Sequence, residues 1–94
     1  MAHRVEWSPR ALADLEAIAT YISADSPSYA RAVVKKIVTL TRNLSEFPQS
    51  GRQVPEFDDA SIRELIAYSY RIIYRFSDTD VTIAAVIHGK RMLL

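Results

Sequence analysis

Two arginines stand four residues apart in the segment YRIIYRF, which covers Tyr70–Phe76. Apolar residues alternate with Arg71 and Arg75, so a β-strand would send both arginines to one face and the aromatic rings to the other. Their guanidinium groups would lie about 13 Å apart, too far to clamp one phosphate together, and would instead line a groove. With Ile73 between them and Val86 across the next hairpin, they predict a basic and apolar surface that suits an acidic, aliphatic protein partner. The plainer alternative is an exposed sheet face on which arginine only provides solubility.

A second basic group, His88-Gly89-Lys90-Arg91, follows the last apolar run of the chain. Neighbouring cations favour the neutral imidazole, which can act as a general base near pH 7. The group therefore predicts a phosphate-contacting tip with catalytic potential. The alternative is a strand end in which a turn glycine is followed by solvated cations.

Acidic residues are concentrated in one loop, where Glu56, Asp58 and Asp59 have no histidine near them in the sequence. Two histidines and no cysteine are too few for a histidine cluster or a cysteine zinc site. No phosphate-cradling glycine loop, HExxH motif or GxSxG motif occurs. We therefore expect a solvated acidic loop, no metal and no cofactor, and the lack of cysteine favours a reducing compartment.

Size and charge limit the possible partners. The 94 residues, 49% hydrophobic and 24% charged, are typical of one packed domain over residues 1–94. The formal net charge is only +1, so any contact with nucleic acid must be local rather than driven by a long-range field. No window approaches the roughly 20 apolar residues of a membrane span, and the N-terminus lacks a signal-peptide pattern. We expect no membrane contact and a cytoplasmic location.

The elements that must position these groups follow from periodicity and capping. Ser8-Pro9 and Ser26-Pro27 each combine an N-cap serine with a proline at the first helical position. Apolar residues then recur at spacings of three and four. The predicted elements are a short strand over residues 3–7, helices over 9–23 and 27–47, an irregular connection over 48–60, and strands over 62–67, 70–76 and 81–88.

These elements predict an α+β fold in two layers. The short strand and an antiparallel helical hairpin would pack on one face of a small antiparallel β-sheet. Tyr70, Tyr74 and Phe76 would then belong to the core, and the arginine-bearing face would stay open for binding. The second helix also carries a basic strip that we interpret as solvated surface, formed by Arg31, Lys35, Lys36 and Arg42.

The chain resembles the RelE/ParE superfamily of toxins from bacterial type II toxin–antitoxin pairs. The resemblance lies in the order of its segments: a strand, a helical hairpin, then FPxSGR, RELIAYSYRIIYRF and VTIAAVIHGKR. The resemblance covers nearly the whole chain. It implies a hetero-oligomer with a cognate antitoxin protein, whose C-terminal segment would lie across the helices and the sheet groove. The residues expected to bind the antitoxin are Arg71, Ile73, Arg75 and Val86.

The superfamily includes RelE-like toxins, which cleave messenger RNA on the ribosome. Arg71 and Arg91 match arginines that support this cleavage. However, Ile62 and Glu64 stand where those enzymes place two basic residues, so the cations that would stabilise the cleaved phosphate are missing. The sequence also stops at Leu94, before the position of an expected catalytic tyrosine.

The resemblance therefore favours the other branch, the ParE-like toxins that poison DNA gyrase and have no catalytic residues of their own. The expected target-binding residues are Arg71, Arg75, His88, Lys90 and Arg91. The alternative is a ribosome-dependent messenger-RNA endoribonuclease, in which Arg71, His88 and Arg91 would be catalytic, with Glu46 or Glu56 as the acid of a second nuclease pattern. A non-toxic relative that only binds a small partner protein is a third possibility.

Overall fold

The computed structural model describes residues 2–91 and residue 93. Two helices pack on one face of a five-stranded mixed sheet, which confirms the predicted α+β fold. The sheet order is β1-β5-β4-β3-β2. The helices are α1 (Pro9–Ser23) and α2 (Pro27–Asn43), and the strands are β1 (Arg4–Trp7), β2 (Arg52–Gln53), β3 (Ile62–Ala67), β4 (Tyr70–Phe76) and β5 (Asp80–His88). No helix in the described part of the chain is long and apolar enough to cross a membrane.

Both helices begin where the serine and proline pairs predict. The Ser8 hydroxyl accepts a hydrogen bond from the Ala11 N–H at 3.0 Å, and the Ser26 hydroxyl accepts one from the Tyr29 N–H at 3.2 Å. Each proline lies in the first turn, where its missing N–H removes no helical hydrogen bond.

The predicted end of the second helix was wrong, because α2 ends at Asn43 instead of Phe47. Leu44 donates to the Thr41 carbonyl at 3.1 Å, so the chain tightens into turns. Contacts with the start of the sheet hold these turns in place. The Ser45 carbonyl accepts from the His3 N–H at 2.7 Å, and the Ser45 hydroxyl donates to the His3 carbonyl at 2.9 Å. Tertiary contacts thus override the apolar periodicity of the helix.

The predicted meander of β3, β4 and β5 is present, and the sheet is wider than expected. β1 pairs in parallel with β5, with Val5 opposite Val81, and the helical hairpin supplies the long connection that a parallel pair requires. The two-residue β2 pairs with β3, with Arg52 opposite Glu64. These two additions give the five strands.

Hydrophobic residues are buried on both faces of the sheet. The larger core lies under the helices and includes Ile37, Ile72, Tyr74 and Ile83. A smaller core lies on the opposite face. It consists of Val54, Ile73, Ala85 and Ile87, with Phe57, Ile62 and Leu93 packed against them. The prediction of an entirely open second face was therefore wrong, because the segment after β2 and Leu93, near the end of the chain, cover part of it.

Candidate functional site

Arg71 lies on the face opposite the helices, as predicted, but it is not displayed. Only 5% of the residue is exposed. Its Nε donates to Glu64 Oε1 at 2.6 Å, and its two terminal nitrogens donate to the two carboxylate oxygens of Glu56 at 2.8 Å each. Nη1 also donates to the backbone carbonyl of Arg91 at 2.8 Å. Four hydrogen bonds therefore engage the guanidinium, and the expected pair of exposed cations does not exist.

The ion pairs extend beyond Arg71. Glu64 has no exposed side-chain surface and also accepts from Nε of Arg52, whose own side chain is largely exposed. Glu56 Oε2 accepts from the Leu93 N–H at 3.1 Å. We call Arg52, Glu56, Glu64 and Arg71 the buried ion network. It connects β2, β3, β4, the segment after β2 and the C-terminal residues.

Charge pairing keeps Glu56 and Arg71 ionised. Hydrogen bonds from the Arg71 guanidinium, with a smaller contribution from the Leu93 N–H, lower the pKa of Glu56 from 4.5 to about 2 against the opposing effect of burial. Hydrogen bonds to Glu56, with a smaller contribution from Glu64, raise the pKa of Arg71 against the same opposition. The carboxylate of Glu56 is therefore not available as a general acid at neutral pH.

Arg75 is exposed at the other end of the same face, as expected for a contact residue. With Ile73 and Thr82 it borders a shallow groove of about 330 Å³, which is also lined by Phe57, Ile62, Tyr74 and Ala84. The groove that was predicted between the two arginines is thus present only around Arg75.

The prediction that Val86 lies on the same face as Arg75 was wrong. Val86 lies opposite Ile72 and is buried in the core under the helices. A β-bulge causes the difference: Ile73 pairs with Ala85 whereas Tyr74 pairs with Ile83, so Ala84 is the extra residue. The bulge inverts the alternation of side chains along β5, and Ala85 occupies the face where Val86 was expected.

The basic tip after β5 is exposed, as predicted for His88, Lys90 and Arg91. Its residues do not join Arg71 in one site. His88 pairs with Tyr70 on the helix side of the sheet, with ring centroids 6.0 Å apart, whereas Arg71 points to the opposite side. Arg91 approaches Arg71 only through its backbone carbonyl. The residues proposed for a nuclease are therefore divided between two faces.

Two further surfaces consist mostly of residues that were not among the predicted site residues, although the antitoxin was expected to lie across the helices. One is a groove of about 570 Å³ between the helices, with Ala19, Val34 and Val38 among its apolar residues and Arg31 and Lys35 beside them. Every charged residue of α2 is basic, and no ion pair involves them within the described residues. This absence of acids on α2 is visible in the sequence. The second surface is a cluster of tyrosines that includes Tyr21, Tyr29 and Tyr70.

Comparison with known proteins agrees with this geometry. The family model described as the ParE toxin of the type II toxin–antitoxin system parDE matches residues 5–93. The chain belongs to the ParE toxin family. The chain is also 37% identical over 90 residues to Toxin RelE2 of Caulobacter vibrioides, which covers 95% of this chain and 98% of that protein. The protein is thus a type II toxin of the RelE/ParE superfamily, as the sequence resemblance implies.

Solved structures show the same fold. The chromosomal ParDE system of P. aeruginosa matches with a TM-score of 0.76 at 22% identity, over 95% of this chain and 98% of that chain. The toxin–antitoxin complex RelBE2 of Mycobacterium tuberculosis matches with a TM-score of 0.65 at 24% identity, over 94% of this chain and 99% of that chain. The architecture of this ParE-family chain is therefore common to proteins named after both branches.

Proposed function

We propose that this ParE-family toxin inhibits growth by binding and poisoning DNA gyrase, and that a cognate antitoxin neutralises it. The observation that supports this proposal is the sequestration of Arg71. A nuclease would need this guanidinium to stabilise charge that develops on a phosphate during cleavage. Here Arg71 is buried and paired with two carboxylates. An RNA phosphate would have to displace both carboxylates to reach it.

The separation of the other candidates supports the same proposal. General acid–base catalysis requires its groups within hydrogen-bond reach of one substrate atom. His88 and Arg71 lie on opposite faces of the sheet. The exposed cations Arg75, Lys90 and Arg91 instead serve as contact residues for a protein target, in line with the prediction for this branch.

A second candidate is a ribosome-dependent messenger-RNA endoribonuclease. It is favoured by the name of the Caulobacter relative, Toxin RelE2. In that reaction His88 and Arg91 would act at the exposed tip, and Arg71 would have to leave the buried ion network.

The helical groove offers a surface for the antitoxin. Its apolar floor and its basic residues Arg31 and Lys35 complement an amphipathic helix with an acidic edge. The sheet groove around Ile73 and Arg75 provides a second contact for the same partner, which fits a hetero-oligomer. Arg71 and Val86 no longer belong to the proposed antitoxin surface because both are buried.

Purified toxin with gyrase tests the proposed target. We expect the toxin to inhibit supercoiling and to stabilise cleaved DNA, and a toxin with Lys90→Ala and Arg91→Ala to be at least tenfold less potent. The matched control is Lys36→Ala, which removes a cation from the helix surface and should change nothing. Cleaved messenger RNA in a translating extract, together with unaffected gyrase, would replace this proposal by the second candidate.

The antitoxin surface is tested separately by co-expression with the neighbouring reading frame. Val34→Asp in the helical groove should weaken the complex measured by pull-down, because it places a charge on the apolar floor. A complex that tolerates this change but fails with Arg75→Ala would move the antitoxin to the sheet groove alone.

A further inference from the structure

Four tyrosines and a histidine meet at one corner of the molecule, where the turn between the helices approaches the end of the sheet. We call this set the tyrosine corner, and its members are Tyr21, Tyr29, Tyr68, Tyr70 and His88. Tyr21 is 79% exposed, and Tyr29 and Tyr68 are 46% and 53% exposed. Half of the large hydrophobic residues that the described structure exposes are in this cluster. Such a concentration marks a binding surface rather than scattered exposed residues.

Four members of the tyrosine corner, Tyr21, Tyr29, Tyr70 and His88, line a cleft of about 360 Å³, and Tyr68 packs against Tyr29. The rings of Tyr29 and Tyr68 stand edge to face, with centroids 5.8 Å apart and planes at 75°. Tyr70 and His88 repeat this arrangement at 6.0 Å and 78°. The remaining lining residues are mostly small or polar, namely Ile22, Asp25, Ser26 and Ser69. Aromatic rings and short polar side chains therefore form the walls of the cleft.

Tyr68, whose ring packs against that of Tyr29, adopts an unfavourable backbone conformation. Its φ of 54° is the only positive value among the described residues other than glycine. A bulky side chain in this region is uncommon and costs about 1–3 kcal/mol. The hairpin between β3 and β4 would be relaxed by glycine or asparagine at this position. Folding alone does not account for a tyrosine here, whereas a function for its exposed ring does.

We propose that the tyrosine corner binds an unpaired nucleotide of a single-stranded nucleic acid. Aromatic side chains bind unpaired bases by stacking on them, with little dependence on base identity. Lys90 and Arg91 follow His88 after one glycine, are exposed and take part in no ion pair within residues 2–91 and 93, so they can contact the adjoining phosphates. Asp25 would accept a hydrogen bond from an exocyclic amino group, as carboxylates do with cytosine.

Charge and shape favour a nucleotide over a protein segment. The core of a protein interface is depleted of charged residues, whereas this cleft contains the carboxylate of Asp25, and the exposed Lys90 and Arg91 lie two and three residues after His88 of its wall. The cleft is also of the size of small-molecule sites rather than a long groove. The net charge of +1 is no obstacle, because the attraction is confined to one corner.

Binding of fluorescent oligonucleotides to the purified toxin tests this inference. We expect single-stranded oligomers to bind at low salt and a duplex of the same sequence to bind at least tenfold more weakly, because its bases are already stacked. Parallel DNA and RNA oligomers identify the source of the nucleotide. Tyr21→Ala should weaken binding about tenfold, and Tyr21→Phe should retain it, because stacking needs the ring and not the hydroxyl. The control Lys36→Ala should bind like the unmodified protein.

Tyr68→Asn separates binding from folding. Asparagine tolerates positive φ, so the melting temperature should stay the same or rise while oligonucleotide affinity falls about tenfold. A fall in melting temperature with unchanged affinity would show that Tyr68 only supports the fold and would overturn the inference. It would also be overturned if no oligomer binds, or if Tyr21→Ala weakens binding to gyrase but not to oligonucleotides. The proposed action on gyrase does not depend on this result, since the supercoiling assay measures it directly.

Discussion

Arg71→Ala would test whether the buried ion network stabilises the fold. The substitution removes four hydrogen bonds and leaves the fully buried carboxylate of Glu64 with only the exposed Arg52 as its cation. Removing one partner of a buried ion pair costs about 3–5 kcal/mol, because the remaining charge is desolvated without compensation. Small domains are stable by only about 5–15 kcal/mol, so this loss is a large fraction of the total.

The assay is urea unfolding followed by circular dichroism. With a denaturant dependence of about 1–3 kcal/mol per molar urea, the midpoint should fall by at least about 1 M. The matched control is Arg75→Ala, four residues along the same face of the same strand but exposed. Its effect should stay within about 0.5 kcal/mol.

A compensated variant makes the test specific for charge. Arg71→Met combined with Glu56→Gln and Glu64→Gln removes the unpaired carboxylates together with the guanidinium, so it should recover part of the lost stability. If Arg71→Ala unfolds at the same urea concentration as Arg75→Ala, the guanidinium is solvated in solution. Arg71 would then be accessible to a phosphate, and its burial would no longer count against a nuclease site.

Four further substitutions test acid stability, the loop after α2 and the first helix cap. The pKa of Glu56 is about 2 in the folded protein and 4.5 ordinarily, so its stabilising effect is complete above pH 4.5 and disappears as the pH falls towards 2; Glu56→Gln should flatten acid unfolding curves in this window. Tyr74→Phe should cost about 1–3 kcal/mol in urea unfolding, because the buried hydroxyl accepts from the Gly51 N–H at 2.9 Å and donates to the Pro48 carbonyl at 2.8 Å. Gly51→Ala should cost about as much, since its Cβ would lie 2.6 Å from the Glu64 carbonyl oxygen. Ser8→Ala should lower the melting temperature in calorimetry by about 4–8 °C through the loss of a cap of about 1 kcal/mol; an unchanged value would mean that water replaces the hydroxyl.

The sequence predicted those parts of the fold that depend on neighbouring residues. Serine and proline fix both helix starts, and alternation with turn residues fixes β3, β4 and most of β5. The pairing of β1 with β5 and of β2 with β3 joins segments that are distant in the chain, and no local pattern specifies it. The same holds for the early end of α2, which depends on contacts between Ser45 and His3.

The site was predicted less well, because alternation gives the face of a residue but not what covers that face. Arg71 was assigned to the correct side, yet its partners Glu56 and Glu64 lie 15 and 7 residues earlier in the chain. Val86 was assigned to the wrong side because a bulge interrupts the alternation. The tyrosine corner joins residues from both helices and from the sheet, so it becomes visible only in three dimensions.

One residue, Glu64, contributes to two of the departures from a RelE-like cleavage site. Glu64 stands on β3 where the resemblance implies a basic residue, which removes a cation from the sheet. Its carboxylate also lies 2.6 Å from Nε of Arg71 and helps to hold that arginine away from solvent. A cation at position 64 would repel Arg71 across the same distance, and the guanidinium would be driven towards solvent, where a phosphate could reach it. Glu64 therefore links the loss of one cation from β3 to the burial of Arg71 in an internal ion network, whereas Arg75, Lys90 and Arg91 remain exposed.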